Sequence, residues 1–212
     1  MQKKLASKIK CIPVRKFPKL VAGLDCAFSK DGKKIIAAVV VFQLPDLKVI
    51  ETKYAIRKLR FPYIPGLLSF REAPACLSAI RKLKNTPDAF LIDGHGLAHP
   101  RRFGIASHLG VFLNKPTIGC AKSLLIGIFK NPASQKGSFA PLKDKGETIG
   151  AILRTATNVK PIFISVGNNC ILKDAIKIVL TCCAGYRLPE PTRIADHLVS
   201  KLKHRQLCLR FC

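Results

Sequence analysis

Acid is what this chain has least of: 12 aspartates and glutamates stand against 37 lysines and arginines in 212 residues, for a formal net charge of +25. Any carboxylate placed beside apolar sequence therefore needs a reason. Nine cysteines are present, an odd number, but no Cys-x-x-Cys pair, which removes the usual spacing of a structural zinc site or a redox dithiol. Cys26, Cys76 and Cys120 sit in apolar surroundings and read as small buried hydrophobes in a reducing compartment. His204, Cys208 and Cys212 recur every fourth residue, a thin basis for zinc at a chain end. No apolar run reaches the roughly 18 residues that cross a bilayer, and the basic N-terminus has no signal-peptide core. A cytoplasmic protein without membrane association, acting as a monomer, is the expectation. No repeat or low-complexity linker divides the chain, so residues 1–212 are expected to form one domain, with residues 1–18 a basic, loosely docked arm.

What is present in excess is positive charge. A surplus of this size favours a polyanion, because each phosphate contact releases condensed counterions. The alternative is a general lysine bias that serves solubility. Two carboxylates decide between them. Asp25 follows Leu20-Val21-Ala22-Gly23-Leu24, and Asp93 follows Ala89-Phe90-Leu91-Ile92 and opens a glycine-rich turn crowded with His95, His99, Arg101 and Arg102. Each reads as a carboxylate delivered by a buried strand, the arrangement of a hard-cation site inside a basic protein.

The order of elements supplies a frame. Leu20–Phe28, Ile35–Phe42 and Lys48–Ile56 read as an antiparallel meander, with Asp31-Gly32 a strong hairpin turn. A helix follows from Ser69 to about Leu83, with Ser69 and Glu72 spaced as a capping box. Then come a strand at Ala89–Ile92, a helix over Arg101–Leu113 and a strand at Pro116–Ala121. A hairpin is expected around Leu124–Phe129 and Ile149–Arg154, then a strand at Pro161–Val166, a helix over Lys173–Cys183, and a last helix after Pro191-Thr192. This is the order of a ribonuclease H-like α/β fold: a mixed five-stranded central sheet flanked by helices, extended by a C-terminal hairpin and helices. In such a sheet the first and fourth strands are neighbours, which brings Asp25 and Asp93 together.

Two bare carboxylates about 4 Å apart repel by roughly 1–4 kcal/mol at effective dielectric constants between 80 and 20. A divalent cation reverses that sign, and magnesium takes a few carboxylates plus water and phosphate oxygens. Glu72 is either a third such carboxylate or simply half of the capping box. His99 either touches a phosphate or moves a proton, or it is structural. Lys122 can neutralise a phosphate at the same sheet edge, or it is one solvated lysine among many. Pro62-Tyr63-Ile64-Pro65 is an apolar loop stiffened by two prolines. It suits a wedge that enters a base step, or it covers the core.

Taken together, these segments resemble the endonuclease V family. The resemblance rests on Ala22-Gly23-Leu24-Asp25, Pro62-Tyr63-Ile64-Pro65-Gly66, Leu68-Ser69-Phe70-Arg71-Glu72, Asp93-Gly94-His95-Gly96 through His99-Pro100-Arg101-Arg102, Ala121-Lys122 and Tyr186-Arg187-Leu188-Pro189-Glu190-Pro191-Thr192-Arg193, and it covers roughly residues 19–200. It implies cleavage of the second phosphodiester bond on the 3′ side of deoxyinosine in DNA, with magnesium or in its place manganese, leaving 3′-hydroxyl and 5′-phosphate ends. By the same resemblance Asp25, Asp93 and Glu72 hold the metal, His99 and Lys122 serve catalysis, and Asp196 is a further acidic position. Pro62, Tyr63, Ile64 and Pro65 form a wedge that fills the space left by an everted base. Gly66, Leu67, Leu68 and Gly119 are expected to wall the pocket that receives that base. Inosine-containing RNA is the rival substrate, since the motifs do not reveal contacts to a 2′-hydroxyl. A catalytically idle nucleic-acid binder on the same scaffold is the rival from another class.

Overall fold

Eight strands form one mixed sheet in the order β3-β2-β1-β4-β5-β8-β7-β6. The structure, a computed structural model, describes residues 2–208, with side chains as far as His204. The meander comprises β1 (Leu20–Phe28), β2 (Lys34–Gln43) and β3 (Lys48–Lys58), all antiparallel. The two central strands that follow are β4 (Ala89–Ile92) and β5 (Thr117–Ala121). They run parallel to β1, with Leu24 opposite Ile92 and Ile92 opposite Gly119. Both are buried throughout, which is why they read as unbroken apolar runs without alternation.

The sheet is wider than the sequence suggests. The terminal strands β6 (Phe139–Asp144), β7 (Glu147–Leu153) and β8 (Ile162–Asn168) do not form a separate hairpin; β8 pairs antiparallel with β5 and carries the other two outward. The expected first arm, Leu124–Phe129, is largely a loop that pairs with the sheet through an isolated bridge from Ile128 to Lys143 and packs Ile126 and Phe129 against it. The true arm alternates exposed and buried residues and contains Pro141. Proline lacks the N–H a central strand needs and is tolerated here because β6 is the sheet edge.

Helices cover both faces. On one side α2 (Leu68–Ile80) and α3 (Ile105–Leu113) pack through Ala73, Cys76, Ala79, Ala106 and Leu109 against Ala22, Leu24, Phe90 and Ile92. On the other, α4 (Leu172–Thr181) meets Val21, Leu91 and Ile118, while α5 (Glu190–Cys208) brings Ala195 onto Val40 and Phe42. The expected helix starting at Arg101 begins four residues later, because residues 101–104 form a turn that ends in extended Gly104.

Residues 2–19 are not a loose arm. A short helix α1 (Gln2–Ala6) is docked by the buried Gln2 side chain. Farther on, the Lys10 N–H donates to Asn168 Oδ1 and the Val14 N–H to Asp174 Oδ2. Seven cysteines within the described residues are free thiols. Of the three residues considered for zinc, Cys212 and the Cys208 side chain lie outside the described residues. No described helix is long and apolar enough to cross a membrane.

Candidate metal centre and nucleic-acid interface

Strand alternation sets the site. Leu24 and Ile92 face α2 and α3, and Val21 and Leu91 face the opposite layer. The period of two therefore turns Asp25 and Asp93 toward the α5 side of the sheet. The Asp93 N–H donates to the Leu24 carbonyl at 3.0 Å, extending the β1–β4 pairing one residue and locking the two carboxylates side by side. Gly23 then admits α5: a Cβ at this position would lie 1.8 Å from the Pro191 carbonyl oxygen. With no side chain to hold it off, the start of α5 rests on β1 and presents Asp196.

Asp25, Asp93 and Asp196 each offer an oxygen within 4.8 Å of the others. Burial, followed by the charge of Asp93, pushes the Asp25 carboxyl up to about 8, although the Cys26 N–H donates to it at 2.7 Å. Burial also raises Asp93, against the pull of Lys122. The Lys122 ammonium lies 2.6 Å from Asp93 Oδ2 and 3.1 Å from Asp196 Oδ1. Arg187 in turn donates to the Lys122 carbonyl and fixes the backbone that carries the lysine. A cluster of three carboxylates, with Asp25 and Asp93 partly desolvated and raised in proton affinity, is a donor set a hard divalent cation fits, since it removes the repulsion and takes oxygen ligands.

Glu72 stands beside this trio and not within it. It comes from α2, on the other face of the sheet, and reaches the strand ends from there. The Cys26 thiol donates to its carboxylate, and burial foremost, with Asp93 adding to it, lifts the group to about 7. The capping box does not form. Leu67 is the N-cap without a side-chain bond, and Ser69 Oγ instead meets His108 Nδ1 at 3.1 Å. Ser69 is thus committed to the interior, and Glu72 is left turned toward the carboxylates.

His99 is buried, and desolvation, then neighbouring arginines, pushes it down to about 4, so the ring is neutral at pH 7. Its Nδ1 accepts from the Arg101 N–H at 3.1 Å, which leaves Nε2 carrying the proton. His95, also lowered to about 4 by burial, bonds to the Ser123 backbone and has a buried Nδ1 with no partner; the sequence reading did not single it out. Arg102, in the same turn, is engaged by Asp144 and Glu147 at 2.8 and 2.9 Å.

The Pro62–Pro65 loop does not cover the core: Tyr63 is 68% exposed and Ile64 40%. Arg71 lies over both the Phe28 and Tyr63 rings, at 4.7 and 5.7 Å. Gly66 closes the loop at φ +78, a conformation that favours glycine. Gly119, expected at a pocket wall, is buried. A Cβ on it would meet the Gly94 oxygen at 2.6 Å and the Gly96 nitrogen at 2.8 Å, so its glycine serves close packing under the 94–96 turn.

A sequence profile of the endonuclease V family matches residues 3–197. The Endonuclease V of Trichormus variabilis is 57% identical over 180 residues, which make up 85% of this chain and 81% of the relative. Among solved structures, Endonuclease V from Streptomyces avermitilis superposes with a TM-score of 0.93 at 38% identity, covering 97% of this chain and 91% of that one. Endonuclease V from Ciona intestinalis, in complex with a 24-mer DNA containing an inosine followed by a ribo-adenosine, gives 0.82 at 32% identity, covering 96% and 95%.

Proposed function

The chain belongs to the endonuclease V family, and from that premise we propose that it is a repair nuclease that hydrolyses DNA at deoxyinosine in a metal-dependent reaction. The cut falls at the second phosphodiester bond on the 3′ side of the deaminated adenine and leaves 3′-hydroxyl and 5′-phosphate ends. The observation that carries the reading is the carboxylate trio, three acidic oxygens within 4.8 Å in a chain of charge +25. Pure binding to phosphates has no use for such a cluster.

Asp25, Asp93 and Asp196 would hold magnesium, or manganese in its place, with Glu72 alongside. When bound, the ion supplies orientation of a water and stabilisation of charge at the leaving oxygen. The other residues act around that centre. Lys122, already beside Asp93 and Asp196, is placed to neutralise a phosphate oxygen. His99, neutral with its Nε2–H free of Arg101, serves as a hydrogen-bond donor to phosphate; a ring this hard to protonate is a poor proton donor at pH 7. Tyr63 and Ile64, held between Pro62 and Pro65, enter the base stack where the lesion leaves it. The backbone at Gly66, Leu67 and Leu68 reads the everted base. Its N–H groups cannot reverse polarity, so adenine's amine would leave buried donors unpaired at about 1–3 kcal/mol.

The test is cleavage of a duplex carrying one inosine, in magnesium, by the wild type and Asp93→Ala. Loss of cutting with retained lesion binding is expected; cutting at the wild-type rate would remove Asp93 from the metal site. Running inosine-containing RNA in parallel separates the deoxyribonuclease from the ribonuclease reading.

A further inference from the structure

We infer that Gln2 is a positioning residue for lesion recognition, fixing the Pro62–Gly66 loop from beneath through its buried carboxamide. This rests on reading that loop as the wedge.

Gln2 is 7% exposed, a polar side chain from a five-residue helix driven into the interior. Its Nε2 donates to the Gly66 carbonyl at 3.0 Å and to the Phe103 carbonyl at 3.3 Å, while its Oε1 accepts from Arg101 at 2.7 Å. Both donors and the acceptor are therefore used. The partners lie 64, 101 and 99 residues away, in two different loops. Gly66 ends the wedge loop just before α2, and Phe103 precedes the extended Gly104 that starts α3. Arg101 closes the ring with a longer contact of its own to the Gly66 carbonyl, at 3.4 Å.

The loop's other contacts are Arg71 over the Tyr63 ring at 5.7 Å, the Leu67 N–H donating to the Ile64 carbonyl at 2.9 Å and Phe61 stacked on Phe70 at 6.0 Å. A cavity of about 440 Å³ lies between α1 and the loop, lined by Gln2, Lys3, Phe61, Leu67, Phe70 and Arg101. With Tyr63 mostly in solvent, the prolines stiffen the loop internally, but its end is set by hydrogen bonds at Gly66. Gly66 at φ +78 also decides where the loop turns into α2. A wedge that must enter a base step loses affinity for every conformation it has to give up on binding. Gln2 removes some of those conformations in advance.

Two substitutions separate positioning from support. Gln2→Met keeps the volume and loses all three bonds. Gln2→Glu keeps the acceptor for Arg101, and so the docking of α1, but cannot donate to Gly66 or Phe103; it stays informative where Gln2→Met does not fold. Binding to an inosine-containing and an undamaged duplex is measured with kcat and KM on the former, and Tyr63→Ala is run alongside. The expected result is a fall of about tenfold in the inosine-to-undamaged affinity ratio, the scale of one or two ordinary hydrogen bonds. KM should rise, kcat should hold, and undamaged binding should not change. A ratio within about twofold of wild type in Gln2→Glu overturns the inference, whatever happens to thermal stability. A lowered ratio in the Gln2 variants with none in Tyr63→Ala overturns the wedge reading itself. Because the chain has no tryptophan, Tyr63→Trp supplies a second readout: its fluorescence anisotropy should drop when Gln2→Glu is added, and unchanged anisotropy counts against the inference.

Discussion

A carboxylate buried beside another carboxylate is a cost the metal-free fold carries, and Asp25 shows its size. Its carboxyl is raised to about 8 from an ordinary value of 3.8, and Glu72 to about 7 from 4.5. The folded protein thus holds protons that the unfolded chain has released. Stability from these groups is fully present below about pH 4 and is lost as pH rises toward 7 and 8. A bound divalent cation opposes that loss and competes with the same protons. Magnesium should therefore raise Tm more at pH 8 than at pH 5.5, and cleavage at limiting magnesium should climb between about pH 6 and 8. Asp25→Asn gives the converse. Its amide oxygen still accepts from the Cys26 N–H, the repulsion is gone, and the metal-free variant should melt higher at pH 8 by about 2–4 °C per kcal/mol recovered. Cleavage should fall to background. A variant melting below wild type in chelator at pH 8, by scanning calorimetry, would show that the trio is not under strain.

At the scale of elements, the site depends on how closely α5 can approach β1. Gly23→Ala would put a methyl group 1.8 Å from the Pro191 carbonyl, against backbone that cannot swing aside. Overpacking of this kind costs about 1–3 kcal/mol, and it should move Asp196 away from Asp25 and Asp93. The expected outcome is a lowered Tm together with weaker magnesium binding by calorimetric titration. Magnesium affinity equal to wild type would remove Asp196 from the ligand set. The sequence disclosed Asp25 and Asp93 because each ends an apolar strand, a local pattern. It did not disclose the approach of α5, since Gly23 and Pro191 are far apart in the chain; Asp196 was legible only through the family resemblance. Glu72 was ambiguous for a related reason: the spacing of a capping box is local, but the His108 that takes Ser69 belongs to another helix. Gln2 left no signal at all. The misplaced hairpin followed from judging strands by apolar runs, where an edge strand shows only every second residue.

Across the whole molecule, a charge of +25 surrounds a cluster of acids, and the two serve different parts of binding. The positive surface attracts any duplex, and that attraction weakens with salt: six phosphate contacts lose about a thousandfold between roughly 50 and 200 mM. Lesion recognition is assigned here to groups without net charge, namely the Tyr63 ring, the Gly66–Leu68 backbone and the framework held by Gln2. Everting the base adds a cost that is least for a mispaired one, and salt leaves that difference nearly untouched. Binding to undamaged and inosine-containing duplexes should therefore weaken in parallel as salt rises, with the ratio between them constant to about threefold while each affinity falls by orders of magnitude. Anisotropy titrations on both duplexes in chelator, across the salt range, decide this. If the ratio falls along with the affinities, the excess binding to inosine comes from additional phosphate contacts. The wedge and the backbone pocket would then not be the source of selectivity, and the basic surface that gathers DNA would also be what sorts it.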